Sequence, residues 1–330
     1  MITRRTNKNF KSLGELIEAD EGPVGRFARM KASEAKFIGK AVRIQQYDVL
    51  EDHALGFSAR VMAQAGLPHS DPGDDCDLWV CTNGHFCFSV QSKRYHKNGQ
   101  MVNVGLPYGS LARLILYHIA TQATQRRSPE IDLGTSLSSF MRRLGLAPTG
   151  GQKGNINRFK EQLRRITTSR FDFTYDNRDA NGVGETRDQM FSIADSVHLW
   201  WDPKDPETDT FPSSMVLSDR FYRHIIESPV PVDMRAIDAI KKSPLALDLY
   251  TWLTARVFHV RYETPIPWAL IYKQMGSEYA DQKDFVKACK KYLARISHFW
   301  PELNYRYVRG RFILMKSEPH VPPKDQRLLF

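Results

Sequence analysis

The stretch Asn155–Thr167, with the sequence NINRFKEQLRRIT, decides the fold of this 330-residue chain. Four apolar side chains recur at helical spacing and form a single stripe: Ile156, Phe159, Leu163 and Ile166. The opposite face is predicted to carry Asn157, Arg158, Glu161 and Arg165, with Gln162 and Arg164 beside it. The pattern therefore predicts a helix that packs on a core through one side and shows a basic side to solvent.

The helices and strands predicted on either side of this helix follow a known order. A helical pattern begins at Pro107, a short strand lies in SPEIDLG (128–134), and a second helix can start at Thr135 or Ser136. After the third helix, two alternating strands are predicted in RFDFTYD (170–176) and QMFSIADSVHLWW (189–201). Helix, strand, helix, helix and hairpin is the order of a winged helix. In that fold the third helix enters the major groove of DNA and the hairpin lies against the backbone.

The same order is predicted again further along the chain. A broadly apolar helix covers 244–259, and a short strand and a second helix follow as far as Gly276. The segment DQKDFVKACKKYLARISHFW (281–300) is typical of a third helix with a basic outer face. A compact hairpin with its turn at Arg309-Gly310 closes the repeat. This recurrence indicates an internal duplication of architecture.

The duplication predicts an α+β fold of two tandem winged-helix domains with an N-terminal β-containing extension. We place a first module at 71–205, including hairpin strands that precede its helices, and a second module at 206–330. Residues 1–70 form an N-terminal arm of uncertain fold, helical only around 58–65. The preceding strands are expected near 78–81, 85–93 and 101–104, with turns at Asn83-Gly84 and Asn98-Gly99.

The positive charge is concentrated in two blocks. The chain has 47 Lys and Arg against 37 Asp and Glu, a formal charge of +10 at pH 7. Residues 106–175 hold 11 basic and 4 acidic side chains, and residues 281–316 hold 9 and 3. Residues 176–240, by contrast, hold 6 basic and 13 acidic side chains. Two basic blocks separated by an acidic stretch favour two surfaces for a polyanion.

Each basic block contains a third helix, and the candidate DNA-binding residues lie there. In the first module they are Lys153, Asn155, Asn157, Arg158, Lys160, Glu161, Arg164 and Arg165. In the second module they are Lys283, Lys287, Lys290, Lys291, Ala294, Arg295, Arg309 and Arg311. Arg grips guanine with two hydrogen bonds and Asn reads adenine, so Asn157, Arg158 and Arg165 are candidates for base reading. The lysines are typical of phosphate contacts, Ala294 suits a thymine methyl group, and the last two arginines lie in the second wing.

Motifs for other chemistry lack a required residue. Cys76, Cys81 and Cys87 cluster beside His85, but no paired C-x2-4-C is present for tetrahedral zinc, so we expect small core residues. The glycine-rich loop 147–154 lacks the G-x4-G-K-[ST] pattern of a P-loop. No apolar run approaches the roughly 18 residues of a membrane helix, and no secretory signal is visible. A cytoplasmic protein without metal, cofactor or membrane partner is expected.

Two long phrases resemble the RepA family of plasmid replication initiators. They are LPYGSLARLILYHIATQATQRRSPEIDLGTSLSSFMRRLGLAPTGGQKGNINRFKEQLRRI (106–166) and FPSSMVLSDRFYRHIIESPVPVDMRAIDAIKKSPLALDLYTWLTAR (211–256), within a similarity over 77–315. The resemblance implies binding to double-stranded origin DNA with direct repeats, opening of the duplex, and recruitment of a host replication initiator and helicase. It also implies homodimers that repress their own gene. The residues leave open which winged helix reads bases and which dimerises.

Three other functions compete with this interpretation. An enzyme that nicks its origin needs a nucleophilic tyrosine beside a metal held by H-x-H, and no H-x-H occurs in the chain. We therefore expect that the protein is not an enzyme. A transcription repressor without a replication role would use the same winged helices, so the sequence separates it poorly. A pure scaffold protein is disfavoured by the basic helix faces.

Overall fold

The computed structural model describes residues 31–151, 154–177, 184–198, 213–276 and 278–322. The helices of these residues are α1 Ala32–Gln46, α2 Arg60–Gln64, α3 Gly109–Arg126, α4 Leu137–Arg143, α5 Asn155–Thr168, α6 Asp219–Glu227, α7 Met234–Ile240, α8 Pro244–Val257, α9 Trp268–Gln274 and α10 Gln282–Phe299. The first seven strands are β1 Leu55–Ala59, β2 Leu78–Asn83, β3 Phe86–Gln91, β4 Arg94–Lys97, β5 Gln100–Asn103, β6 Glu130–Gly134 and β7 Arg170–Asp176. The other strands are β8 Thr186–Ser192, β9 Ala194–His198, β10 Ser213–Leu217, β11 Pro229–Asp233, β12 Thr264–Pro267, β13 Tyr305–Val308 and β14 Arg311–Leu314. The fold is thus mixed, with helices and short strands interspersed along the described chain.

The second module has the predicted elements in the predicted order, namely α8, β12, α9, α10 and the hairpin β13-β14. These strands form a three-stranded antiparallel sheet in the order β12-β14-β13. The hairpin turns at Arg309-Gly310, where the φ of Gly310 is 74°, a conformation that favours glycine. Phe312 on the central strand is fully buried and packs against the rings of Trp252 on α8 and Trp268 on α9. One aromatic core therefore joins this sheet to its helices.

The first module has the predicted order α3, β6, α4, α5, β7 and β8, but its strands pair differently. Strand β6 lies in a sheet of order β6-β10-β9, whereas β7 and β8 lie in a four-stranded sheet of order β2-β3-β7-β8. The predicted strand 189–201 is divided at the buried residue Ile193 into β8 and β9, which join different sheets. Residues 199–201 of that prediction lie outside the described part. The two modules therefore share an element order and differ in sheet pairing.

The local signals for helix ends and for the turn at Asn98-Gly99 are confirmed, whereas the turn predicted at Asn83-Gly84 lies one residue later, at Gly84-His85, because Asn83 still pairs with Phe86. Of the two predicted caps for α4, Ser136 is the one used, because its hydroxyl accepts a hydrogen bond from the Ser139 amide at 2.9 Å. Gly145 follows this helix with φ of 67°. The turn Asn98-Gly99 joins β4 to β5, and both residues have positive φ, as a two-residue hairpin turn requires.

Residues 31–59 are built into the second module. The sequence did not predict helix α1, which packs on α7 and α10 through the buried side chains of Phe37, Ala41 and Ile44. Strand β1 pairs antiparallel with β11. Strand β10 follows the predicted boundary at 205/206 but pairs with β6 and β9, which precede it. The modules are therefore joined by shared strands as well as by chain connectivity.

Candidate nucleic-acid interface

Helix α5 has the amphipathic character that its sequence predicts. Its apolar stripe is in the core, with Phe159, Leu163 and Ile166 fully buried. The exposed side chains are those of Asn157, Arg158, Lys160, Glu161 and Arg164. Among the described residues, none pairs with the first three of these. Two cations and one amide are therefore available on this face for a ligand.

The residues just before this face fix its N-terminal end. The Asn155 side chain accepts a hydrogen bond from the Thr149 amide at 2.8 Å and donates one to the Ala147 carbonyl at 2.7 Å. Asn155 thus holds the preceding loop against the helix, and its side-chain amide is already hydrogen-bonded within the protein. The candidate Lys153 lies outside the described residues. The candidate at 155 is accordingly a loop anchor in this structure.

Arg165 is not on the exposed face, which corrects the sequence prediction. The residue is 4% exposed, and its guanidinium pairs with Glu161 at 2.6 Å and Asp71 at 3.2 Å. It also donates to the Leu106 carbonyl at 3.1 Å. The backbone at Gly105 comes so close that an added Cβ would lie 2.7 Å from the guanidinium carbon. Arg165 therefore ties α5 to the segments before α3 and is not available to read bases.

Arg164 is the most C-terminal of the exposed side chains of α5 and contacts an element that the sequence analysis did not assign to the interface. Its guanidinium carbon is 5.0 Å from the centre of the Tyr95 ring, within cation–π range. Tyr95 lies in the β4-β5 hairpin, whose run KRYHK (93–97) before an Asn-Gly turn is the sequence signal that could have revealed a basic ribbon. The hairpin therefore stands beside the candidate recognition face.

In the second module, α10 presents the four predicted lysines to solvent. Its N-terminus is capped by the Asp281 carboxylate, which accepts a hydrogen bond from the Lys283 amide at 2.7 Å. The side chains of Lys283, Lys287, Lys290 and Lys291 are all exposed. The single acidic residue within the helix, Asp284, lies in the first turn. This half of α10 is therefore a continuous cationic face.

The hairpin β13-β14 is joined to this face by an aromatic contact. The Lys290 ammonium lies 4.9 Å from the centre of the Tyr307 ring on β13. Beyond that ring, the hairpin carries the exposed side chains of Arg309 and Arg311 at its turn. The lysines of the helix and the arginines of the hairpin therefore belong to one surface.

The C-terminal half of the outer face of α10 is covered, so a second prediction needs correction. Helix α1 lies against it, with the ring centre of Phe37 4.0 Å from the Arg295 guanidinium carbon. A carboxylate oxygen of Glu34 is 3.8 Å from the same guanidinium. Ala294 is only partly exposed. Arg295 thus serves to dock α1, an element absent from the sequence prediction.

The cysteine cluster has a structural role. Cys81 is buried and its thiol donates to the carbonyls of Lys273 and Gln274, both at 3.0 Å. Burial raises the pKa of this thiol to about 11, so it is not ionised near neutral pH. Within the described residues, no group of three or more His, Cys, Asp or Glu side chains could hold a metal ion. Nor is any helix described here long and apolar enough to cross a bilayer.

Comparison with known proteins identifies the class. The family model of the plasmid-encoded RepA protein matches residues 106–266, from the start of the first basic block to β12. This stretch of the chain is therefore similar to plasmid replication initiators. Residues 106–266 belong to the family of plasmid-encoded RepA proteins, which confirms the resemblance seen in the sequence.

Two solved structures are similar in overall arrangement. Selenomethionine derivatives of domains 2 and 3 of RctB give a TM-score of 0.45 at 10% identity, covering 76% of this chain and 95% of that one. A second structure of RctB domains 2-3 gives 0.46 at 10% identity, covering 78% and 94%. Similarity at this level adds nothing to the functional assignment. No curated protein matches the chain in sequence.

Proposed function

We propose that the protein initiates plasmid replication by binding repeated sites in origin DNA through two winged helices, one in each module. The observation that carries the proposal is the surface formed by α10 and its wing, with four exposed lysines and the two arginines Arg309 and Arg311. The order α8, β12, α9, α10 and hairpin, with strand order β12-β14-β13, supports a winged helix there. The membership of residues 106–266 in the RepA family supports the replication role.

The two modules contribute different chemistry. The exposed side chains of Asn157 and Arg158 on α5 are of the types that form paired hydrogen bonds with adenine and guanine. The lysines of α10 neutralise phosphates without regard to sequence. The first module therefore supplies most of the base reading, and the second module supplies most of the sequence-independent affinity.

After binding, the bound copies help open the duplex and bring in the host replication initiator and helicase. Dimers repress the protein's own gene. The match of residues 106–266 to the RepA family is what supports these proposed steps. The protein carries out no cleavage of DNA, and strand opening comes from binding energy rather than from a covalent step.

The decisive experiment is footprinting of the purified protein on the DNA upstream of its own gene, with its mass measured both free and bound. Protection of direct repeats beside an A·T-rich stretch, and reactivity of that stretch to a single-strand probe, are expected. Protection confined to a promoter, with no opening, would instead identify a repressor. Incubation with supercoiled origin plasmid and Mg²⁺ should leave no nick and no covalent DNA–tyrosine adduct.

The assignment of base reading is tested by a pair of variants. Asn157→Ala with Arg158→Ala should reduce binding to the origin repeat far more than binding to unrelated DNA, because base contacts carry the specificity. Lys287→Ala with Lys291→Ala should weaken both by similar factors. Equal loss on both DNAs for the first variant would remove α5 from base reading.

A further inference from the structure

We propose that the β4-β5 hairpin is a third DNA-contacting element, a ribbon whose tip enters the minor groove next to the site read by α5. The inference rests on the proposed function, since it requires α5 to lie on DNA. It adds a contact that neither winged helix supplies, with the sugar-phosphate edges and base floor of the minor groove as its ligand. Four features of the hairpin carry it: shape, rigidity, position and residue types.

The hairpin is a narrow, separate ribbon. Within the described part of the chain, its two strands pair only with each other, over four residue pairs from Arg94↔Asn103 to Lys97↔Gln100. The turn Asn98-Gly99 has φ values of 51° and 77°, so the ribbon reverses in two residues and ends in a small tip. β-Ribbons are used by DNA-binding proteins in the major or the minor groove.

The base of the hairpin is held rigidly. The Asn103 amide oxygen accepts hydrogen bonds from the Ser92 hydroxyl and from the Gly105 amide, the latter at 3.0 Å. Its amide nitrogen donates to the Asp74 carbonyl at 2.9 Å. The Val104 amide donates to the Lys93 carbonyl at 2.9 Å. A ribbon fixed in this way loses little conformational entropy when its tip binds.

The position of the hairpin follows from Tyr95. Its ring lies under the Arg164 guanidinium, 5.0 Å from the guanidinium carbon, and Arg164 is the most C-terminal of the exposed side chains of α5. With α5 in the major groove, an element attached to the C-terminal half of that face lies over the adjoining backbone. The next groove that it meets is the minor groove.

The residue types at the tip suit that groove. From Tyr95 to Val102 the sequence YHKNGQMV contains no acidic residue, and Asn98 and Gln100 lie at the turn. Asn and Gln read the minor groove, and Met is among the apolar side chains that insert between base steps there. Met101 is 56% exposed, so its side chain is accessible for such a contact. The tip therefore has both kinds of groove contact.

The negative charge near the hairpin lies at its base. Asp77 pairs with Arg94 at 2.8 Å, and Asp71 pairs with Arg165. Asp74 is held there by its backbone carbonyl, which accepts a hydrogen bond from the Asn103 side chain. Arg94 belongs to the residue pair furthest from the turn. These carboxylates repel DNA phosphates from the base of the hairpin, so the tip is the part that contacts DNA. The same carboxylates would repel an acidic protein partner, and an acidic surface would make no use of the exposed Met101 side chain. DNA is therefore the favoured ligand.

The test compares the double variant carrying Gln100→Glu and Met101→Glu, which keeps the turn residues, with the control variant Arg261→Glu. Arg261 is exposed in the loop before β12, at the end of the second-module sheet opposite the Arg309-Gly310 turn. We expect the double variant to bind the origin repeat roughly tenfold more weakly at moderate salt, whereas the control should match the wild type. Hydroxyl-radical footprints should lose one minor-groove protection beside the α5 site. Met101→Ala should weaken the same protection.

Each outcome decides a different claim. Wild-type affinity and an unchanged footprint for the hairpin variant, with binding still lost by Asn157→Ala with Arg158→Ala, would overturn the hairpin inference alone. A wild-type protein that does not bind origin DNA would overturn both proposals. If the hairpin variant bound DNA normally but no longer bound a purified host replication protein, the hairpin would be a protein-docking element. That result would also overturn the inference. Circular dichroism and the thermal midpoint of each variant show whether it is folded.

Discussion

Arg113 on α3 and Asp248 on α8 form a buried ion pair with two contacts that joins the two modules. The distances are 2.6 Å from Nε to Oδ1 and 2.7 Å from Nη2 to Oδ2, and the residues are 5% and 7% exposed. His69 lies 3.0 Å from the same carboxylate. Burial raises the pKa of Asp248, but the charges and hydrogen bonds of Arg113 and His69 together outweigh that effect, so the pKa lies below its usual value.

This pair bears on function because Arg113 lies on α3 in the first module and Asp248 lies on α8 in the second. The remaining guanidinium hydrogens donate to the carbonyls of Leu67, Pro68 and Gly109, so Arg113 is satisfied on every side. A buried network of this kind permits one relative arrangement of α3 and α8. We infer that α5 and α10 are presented to DNA in a fixed relation.

Arg113→Met should lower the free energy of unfolding by about 3–5 kcal/mol, because it leaves the Asp248 carboxylate buried without its partner. Urea unfolding at pH 7.5 measures this. Arg113→Met with Asp248→Leu should recover much of the loss, since neither charge is then left alone. Arg223→Met, which removes an exposed pair with Asp219, is the control and should cost less than about 1 kcal/mol. Equal costs for the two single variants would contradict the role of the buried pair.

Arg158 and Arg165 should respond oppositely to substitution, although both were expected on the same helix face. Arg165→Ala leaves Glu161 and Asp71 without their shared partner and should destabilise the protein by roughly 2–3 kcal/mol. Arg158→Ala should leave the thermal midpoint unchanged and reduce origin binding, because its side chain is exposed. Thermal unfolding and fluorescence anisotropy on the origin repeat separate the two effects. A stable Arg165→Ala protein with impaired binding would reverse our assignment.

The sequence predicted what depends on local periodicity. The helices around Phe159 and Phe285, the turns at Asn98-Gly99 and Arg309-Gly310, and the Ser136 cap are each determined by a few adjacent residues. These signals were enough to place the third helices and their apolar stripes. They also located the four exposed lysines of α10.

What the sequence did not predict depends on distant partners. Arg165 lies on the flank of its helix, and its burial is decided by Asp71, 94 residues away, and by the backbone at Gly105. Arg295 is covered by α1, which has a weak pattern of its own and is stabilised by packing. The pairing of β6 with β10 likewise joins strands that no local turn connects. Helical periodicity places a side chain on a face and does not show what covers that face.

Stability should fall between about pH 7 and pH 4 because of His320. Desolvation lowers the pKa of this histidine to about 4, although the charge of Asp233 acts in the opposite direction. The histidine Nδ1 is 2.7 Å from the Tyr250 hydroxyl, and its Nε2 is 3.1 Å from the Phe299 carbonyl. The unfolded chain binds a proton near pH 6.5 and the folded chain does not, so acid favours unfolding. His118, whose pKa is also lowered to about 4, acts in the same direction.

The size of this effect can be measured with one variant. Lowering the pH from 7.5 to 5 should reduce the free energy of unfolding of the wild type by roughly 2 kcal/mol through His320 alone. His320→Gln is less stable at pH 7.5 because its packing changes, but its further loss on acidification should be smaller than the wild-type loss by that amount. Urea midpoints at the two pH values give both quantities. Parallel losses in the two proteins would show that His320 is not the responsible group.

Salt dependence tests whether the lysines of α10 contact phosphates. Each neutralised phosphate contributes about 0.9 to the slope of log affinity against log salt concentration, since its counterion is released on binding. Lys287→Ala with Lys291→Ala should therefore reduce the magnitude of that slope by about 2, on origin DNA and on unrelated DNA alike. Arg261→Ala, which removes an exposed charge outside the α10 face, should leave the slope unchanged. Weaker binding at one salt concentration with an unaltered slope would mean that the lysines act only through the long-range field of the protein and make no phosphate contact.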